Sequence, residues 1–185
     1  MAVPAAGRTR DDPTTLTDVS PTDEELLDLA ERVGASCRAE RRTLATAESC
    51  TGGLVAHLIT EVPGSSEYFL GGLVTYSNEV KTALADVQPS VLDAHGAVSA
   101  QVAVAMAEGV RRRLGVDVAV AVTGVAGPDG GTDAKPVGLT YVAVADAAGD
   151  DVRRHVWAED RSGNKRSSAA AALSLVLERL AAAES

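Results

Sequence analysis

The run Asp117-Val118-Ala119-Val120-Ala121-Val122-Thr123 limits the fold more than any other stretch of the chain. It has the length of a strand and no polar side, so both its faces must be buried. A strand covered on both sides belongs inside a sheet with helices above and below it. Aromatic residues make up only 3% of the 185, so alanine and valine must fill that interior. Small side chains of this kind suit helices packed closely on a sheet. The length allows one domain with a substantial core.

Other elements alternate around this strand. Residues 1–20, rich in Pro, Thr, Asp and Arg, read as a disordered leader, and 21–185 as one domain. Thr22 followed by Glu25 fits a capping box, with Ser20 before Pro21 as a second helix start. Leu26, Leu29, Ala30, Val33 and Cys37 then share one helix face, which makes Cys37 a core residue. Thr43 to Ala47 reads as a strand, and about 51–62 as a helix. Strand, short helices and a longer Ser99-capped helix follow over 71–114, ending in Arg111-Arg112-Arg113. Val137–Ala145 and Asp151–Trp157 are two strands with a short glycine-bearing connection, hence an antiparallel hairpin. A helix of about 162–182 closes the chain. Strands alternating with helices, then a late hairpin, predict an α/β fold: a three-layer α/β/α sandwich around a mixed sheet, in a single domain.

Ligands of such sheets gather where strands end, and three strand ends here carry polar residues. The first is Glu48-Ser49-Cys50-Thr51-Gly52-Gly53, read as a sharp turn into a helix whose first N–H groups could hold an anion or an oxyanion. The second carries Tyr76, Ser77, Asn78 and, a turn later, Lys81. The third carries Thr123 and the loop Gly124-Val125-Ala126-Gly127-Pro128-Asp129-Gly130-Gly131. Arg161 at a helix start is a fourth candidate, because a cation there opposes the helix dipole unless it binds an anion.

Ser49 needs a base to become a nucleophile. His57, His95 and His155 lie away from these strand ends, which leaves Lys81. Its pKa would have to fall from about 10.4 to roughly 7–8. Tyr76 could relay the proton. Cys50 competes with Ser49, since a thiol at a helix start is the better intrinsic nucleophile. The residues alone leave both open, and the lack of a placed histidine favours serine. Each signal has a plainer reading: Ser49 as a helix cap, Lys81 as a solvated surface charge, Tyr76 as a packing residue, 124–131 as a turn.

These motifs resemble the C-terminal domain family of the competence-damage-inducible protein CinA. The resemblance rests on Ala47-Glu48-Ser49-Cys50-Thr51-Gly52-Gly53 and on Val74-Thr75-Tyr76-Ser77-Asn78-Glu79 with Lys81. It continues in His95-Gly96-Ala97-Val98-Ser99, in Thr123 to Gly131, and in Lys135-Pro136-Val137-Gly138. It covers about residues 23–182. It implies a nicotinamide-nucleotide amidohydrolase that converts nicotinamide mononucleotide to nicotinate mononucleotide and ammonia, with no metal and no cofactor. Carried over by motif, Ser49 is the nucleophile, Lys81 the base and Tyr76 its partner. Cys50, Thr51, Gly52, Thr123, Gly124 and Gly127 line the substrate site, and Arg161 meets the substrate's negative charge. Where the family has Gly-Asp-Arg, this chain has Glu159-Asp160-Arg161, a departure at the first position.

The rival reading is a nucleotide-binding module without catalysis, in which Lys81 stays charged and contacts phosphate. A net charge of −9 argues against a general nucleic-acid partner. No apolar run reaches membrane-spanning length, and the start lacks a signal-peptide core, so a cytoplasmic location and no membrane partner are expected. Two cysteines and three scattered histidines offer no metal spacing. Homo-oligomerisation is left open.

Overall fold

The computed structural model describes Arg10–Asp11 and residues 20–182. In chain order these form β1 (Arg10–Asp11), α1 (Asp23–Glu40), β2 (Leu44–Glu48), α2 (Leu54–Glu61), β3 (Phe69–Val74) and α3 (Asn78–Ala85). Next come α4 (Pro89–His95), α5 (Ala100–Leu114), β4 (Val118–Gly124), β5 (Leu139–Asp146), β6 (Gly149–Val156) and α6 (Arg161–Ala182). The disordered leader expected over 1–20 falls largely outside the described residues. Within it, Arg10–Asp11 pairs in parallel with β6.

The six strands lie in the order β1-β6-β5-β4-β2-β3. β2 runs parallel to both β3 and β4, while β4, β5 and β6 are antiparallel neighbours. The sheet is therefore mixed, as the late hairpin predicted. Strand β4 is buried on both faces, and its two kinds of side chain separate cleanly. Val118, Val120 and Val122 enter one core with residues of α1, α2 and α6, whereas Ala119 and Ala121 enter the other with residues of α5. β5 repeats the division, its Val142 and Val144 standing beside Val122 and Val120, and its Ala143 and Ala145 beside Ala121 and Ala119.

Period-two alternation thus gives the sheet a bulky face and a small-residue face. On the small face α5 comes so close to α3 that a Cβ on Gly109 would lie 1.7 Å from the Ala85 carbonyl oxygen. Thr22 and Glu25 form the expected reciprocal capping box, Ser99 Oγ accepts from Val102 N–H, and Cys37 is fully buried. No helix among the described residues is long and apolar enough to cross a membrane.

Candidate active site

The C-terminal ends of the three parallel strands meet at Ser49. Its N–H continues the β2–β4 ladder by donating to the Val122 carbonyl, and on the other side Thr75 N–H donates to the Glu48 carbonyl. Beyond Ser49 the chain turns through Gly52 and Gly53, whose φ angles of 65° and 98° are ones that only glycine adopts freely. The helix starts at Leu54, later than the expected 51, so Cys50 and Thr51 belong to the turn.

Helix α3 delivers Lys81 from the opposite wall. Ser77 caps it by accepting from Val80 N–H, and Lys81 lies on its inner side, only 1% exposed. Its Nζ is 2.9 Å from Ser49 Oγ, 2.7 Å from the Thr75 carbonyl oxygen and 3.2 Å from that of Tyr76. The solvated-lysine reading is overturned. Burial pushes the ammonium below its usual value, and the nearby Cys50 works in the opposite direction. Among the described residues no carboxylate is a hydrogen-bond or ion-pair partner of Lys81.

Glu48, the residue before Ser49, is held elsewhere. Its buried carboxylate accepts from the N–H groups of Gly53, Val55 and Ala56 at 3.0, 3.1 and 2.8 Å. This corrects the expectation that the start of α2 would face a ligand: a carboxylate of the chain itself already fills that place, satisfying the orphan donors and the dipole. The N–H groups of Cys50 and Thr51 differ. They meet no carbonyl and lie against the Cys50 sulfur, while burial still pushes that thiol up to about 11. Thr51 Oγ1 is buried with no hydrogen-bond partner among the described residues.

The other expected residues divide. Tyr76 reaches Lys81 through its carbonyl, while its ring is 62% exposed and its phenol oxygen accepts from Arg161 Nη2 at 3.3 Å. Arg161 Nη1 donates to the Gly127 carbonyl at 2.6 Å, so Tyr76, Gly127 and Arg161 do come together. Thr123 is fully buried and its hydroxyl donates to the Ala97 carbonyl, which makes it a brace between β4 and the entry to α5. Gly124 lets β4 approach β5: a Cβ there would lie 2.6 Å from the Leu139 carbonyl oxygen.

Glu159, which departs from the Gly-Asp-Arg pattern that the resemblance implies, accepts from the hydroxyls of Ser20 and Ser167, and Asp160 caps α6 by accepting from Gly163 N–H. Arg161 therefore keeps its place at the first residue of α6 despite the departure. His57 is exposed on α2, away from any such role. Among the described residues no three His, Cys, Asp or Glu side chains gather to hold a metal ion.

Beside the Ser49–Lys81 pair, and not including it, a cleft of about 680 Å3 is walled by Ala126, Pro128, Val137, Glu159, Arg161 and Lys165, among others. Lys165 extends from the cleft to the turn that follows Ser49, its Nζ lying 3.8 Å from where a Cβ on Gly52 would stand. Sequence reasoning missed Glu48 and Lys165. The signals were there: a carboxylate just ahead of a helix start, and a cation four residues beyond Arg161 on the same helix face.

Residues 26–180 match the CinA C-terminal domain. A putative competence-damage inducible protein of Moorella thermoacetica is 49% identical over 161 residues, which are 87% of this chain and 38% of that protein. This chain therefore spans about two-fifths of that relative. It spans nearly all of another: the nicotinamide-nucleotide amidohydrolase PncC of Escherichia coli is 47% identical over 153 residues, 82% of this chain and 93% of that one. Among solved structures, a competence/damage inducible protein of Agrobacterium tumefaciens superposes with a TM-score of 0.80 at 38% identity, covering 88% of this chain and 98% of the other. A CinA superfamily protein of Escherichia coli reaches 0.82 at 29% identity, covering 87% and 94%. With its sheet order, its strand-end serine and its buried lysine accounted for, the chain belongs to the CinA C-terminal domain family.

Proposed function

We propose that the chain hydrolyses the carboxamide of nicotinamide mononucleotide, giving nicotinate mononucleotide and ammonia. The observation that carries this is the 2.9 Å approach of Lys81 Nζ to Ser49 Oγ in a site where the lysine is buried and faces only neutral oxygens. A neutral amine in that position donates two hydrogens to the Thr75 and Tyr76 carbonyls and turns its lone pair to the Ser49 hydroxyl. That is the arrangement of a base beside a nucleophile. The PncC relative, 47% identical over most of the chain and named a nicotinamide-nucleotide amidohydrolase, supports this choice of substrate.

In this mechanism Ser49 Oγ attacks the amide carbon as Lys81 takes its proton. The N–H groups of Cys50 and Thr51 hold the oxyanion, because those of Gly53, Val55 and Ala56 are bonded to Glu48. Lys81 returns the proton to the leaving ammonia, and water then cleaves the acyl-enzyme by the same route. Tyr76 orients Lys81 through its carbonyl and Arg161 through its phenol.

Ammonia release from nicotinamide mononucleotide, measured for the wild type, Ser49→Ala and Lys81→Met, tests this. Turnover by the wild type and losses of at least about a hundredfold in each variant are expected. An inert wild type that still binds the nucleotide would favour the non-catalytic module.

A further inference from the structure

We infer that Lys165, acting with Arg161, forms a phosphomonoester subsite at the head of α6, and that Lys165 makes the site select a phosphorylated nucleotide over the bare nucleoside. This deepens the amidohydrolase reading and rests on it for the identity of the reacting amide.

Position comes first. Residues 161 and 165 are four apart on one helix, so their side chains share a face, and both line the same cleft. Lys165 also reaches the nucleophile turn at Gly52. A nucleotide carries its amide at one end and its phosphate at the other. Its phosphate must therefore lie beside the Ser49–Lys81 pair and not on it, which is where this cleft lies.

Charge comes second. The two carboxylates of the cleft wall are held by hydrogen bonds within the chain, Glu159 accepting from the Ser20 and Ser167 hydroxyls and Asp160 from Gly163 N–H, and keep their charge. Neither cation of the wall forms an ion pair among the described residues. Among the described residues Arg161 donates only to the Gly127 carbonyl and the Tyr76 phenol. Lys165 has no hydrogen-bond or ion-pair partner among the described residues. The next cation along, Arg166, is by contrast paired with Asp23 and turned to the Pro21 carbonyl. Two cations on one helix face, neither in an ion pair and both lining one cleft, make a place for a phosphate. A chain of net charge −9 needs such a local site, because its overall field repels phosphates.

The test compares kcat/KM for nicotinamide mononucleotide and for nicotinamide riboside, which lacks the phosphate. The ratio of the two should fall at least about tenfold in Lys165→Met, mainly through KM for the nucleotide, and should largely recover in Lys165→Arg. An unchanged ratio, or an equal loss on both substrates, overturns the inference. If the wild type cleaves neither compound, the amidohydrolase reading fails, and calorimetric titration with ribose 5-phosphate then decides the subsite alone. Binding weakened about tenfold in Lys165→Met supports it; equal binding by both proteins, or no binding by the wild type, overturns it.

Discussion

A buried amine keeps its hydrogen bonds and loses its water, and the loss falls on its charged form. Lys81 has exchanged solvent for two carbonyls and a hydroxyl, and its pKa is lowered from the usual 10.5 by that burial. Between the lowered folded value and the ordinary unfolded one, the unfolded chain holds the proton and the folded chain does not. Unfolding free energy attributable to Lys81 must therefore rise with pH across that window, by at most about 1.4 kcal/mol per pH unit, and be lowest below it. Urea denaturation of wild type and Lys81→Met from neutral pH to about 10 should show the wild type gaining on the variant; curves that stay parallel would refute a shifted lysine. Cys50 stands at the opposite pole. Burial raises its thiol to about 11 and that of Cys37 to about 12, so neither forms a thiolate at neutral pH. Iodoacetamide at pH 7.5 should leave both unlabelled until the protein is denatured, and rapid native labelling of Cys50 would reopen its claim to be the nucleophile.

Helix α5 shows how an element's packing can reverse a residue preference. Alanine in place of a mid-helix glycine ordinarily stabilises by up to about 1 kcal/mol. At Gly109 the added methyl would run into the Ala85 carbonyl, whose oxygen lies 1.7 Å from the Cβ position. That atom is backbone and cannot swing aside. Gly109→Ala should therefore destabilise by about 2 kcal/mol or more through forced separation of α3 and α5, read as a drop in the urea midpoint. Because α3 carries Lys81, the same variant should lose turnover while still folded; a stabilised and fully active variant would mean the helices are not so close. The start of α2 teaches a related lesson. A turn with two positive-φ glycines is legible in Gly52-Gly53, but which acceptor fills the helix start depends on where the side chain of Glu48 points, and it points inward to Gly53, Val55 and Ala56.

At the scale of the whole molecule, the two faces of the sheet are written in the valine–alanine alternation of β4 and β5, because side-chain direction in a strand follows residue parity alone. The capping box, the helix faces and the late hairpin were legible for the same reason: each depends on spacings of a few residues. The strand-end location of Ser49, Tyr76, Lys81, Thr123 and Arg161 could be read from the order of the elements. What those side chains do there could not. Lys81 meets Ser49 across 32 residues of sequence, Arg161 meets Tyr76 across 85, and the Thr123 hydroxyl donates to the Ala97 carbonyl across 26. Sequence by itself therefore determined the layers, the strand ends and the residue types available for chemistry, since local periodicity carries that information. Only the tertiary structure decided which cation is buried beside the serine, which has no partner among the described residues at the cleft, and which N–H groups Glu48 takes at the start of α2, because burial and pairing depend on neighbours distant in the chain.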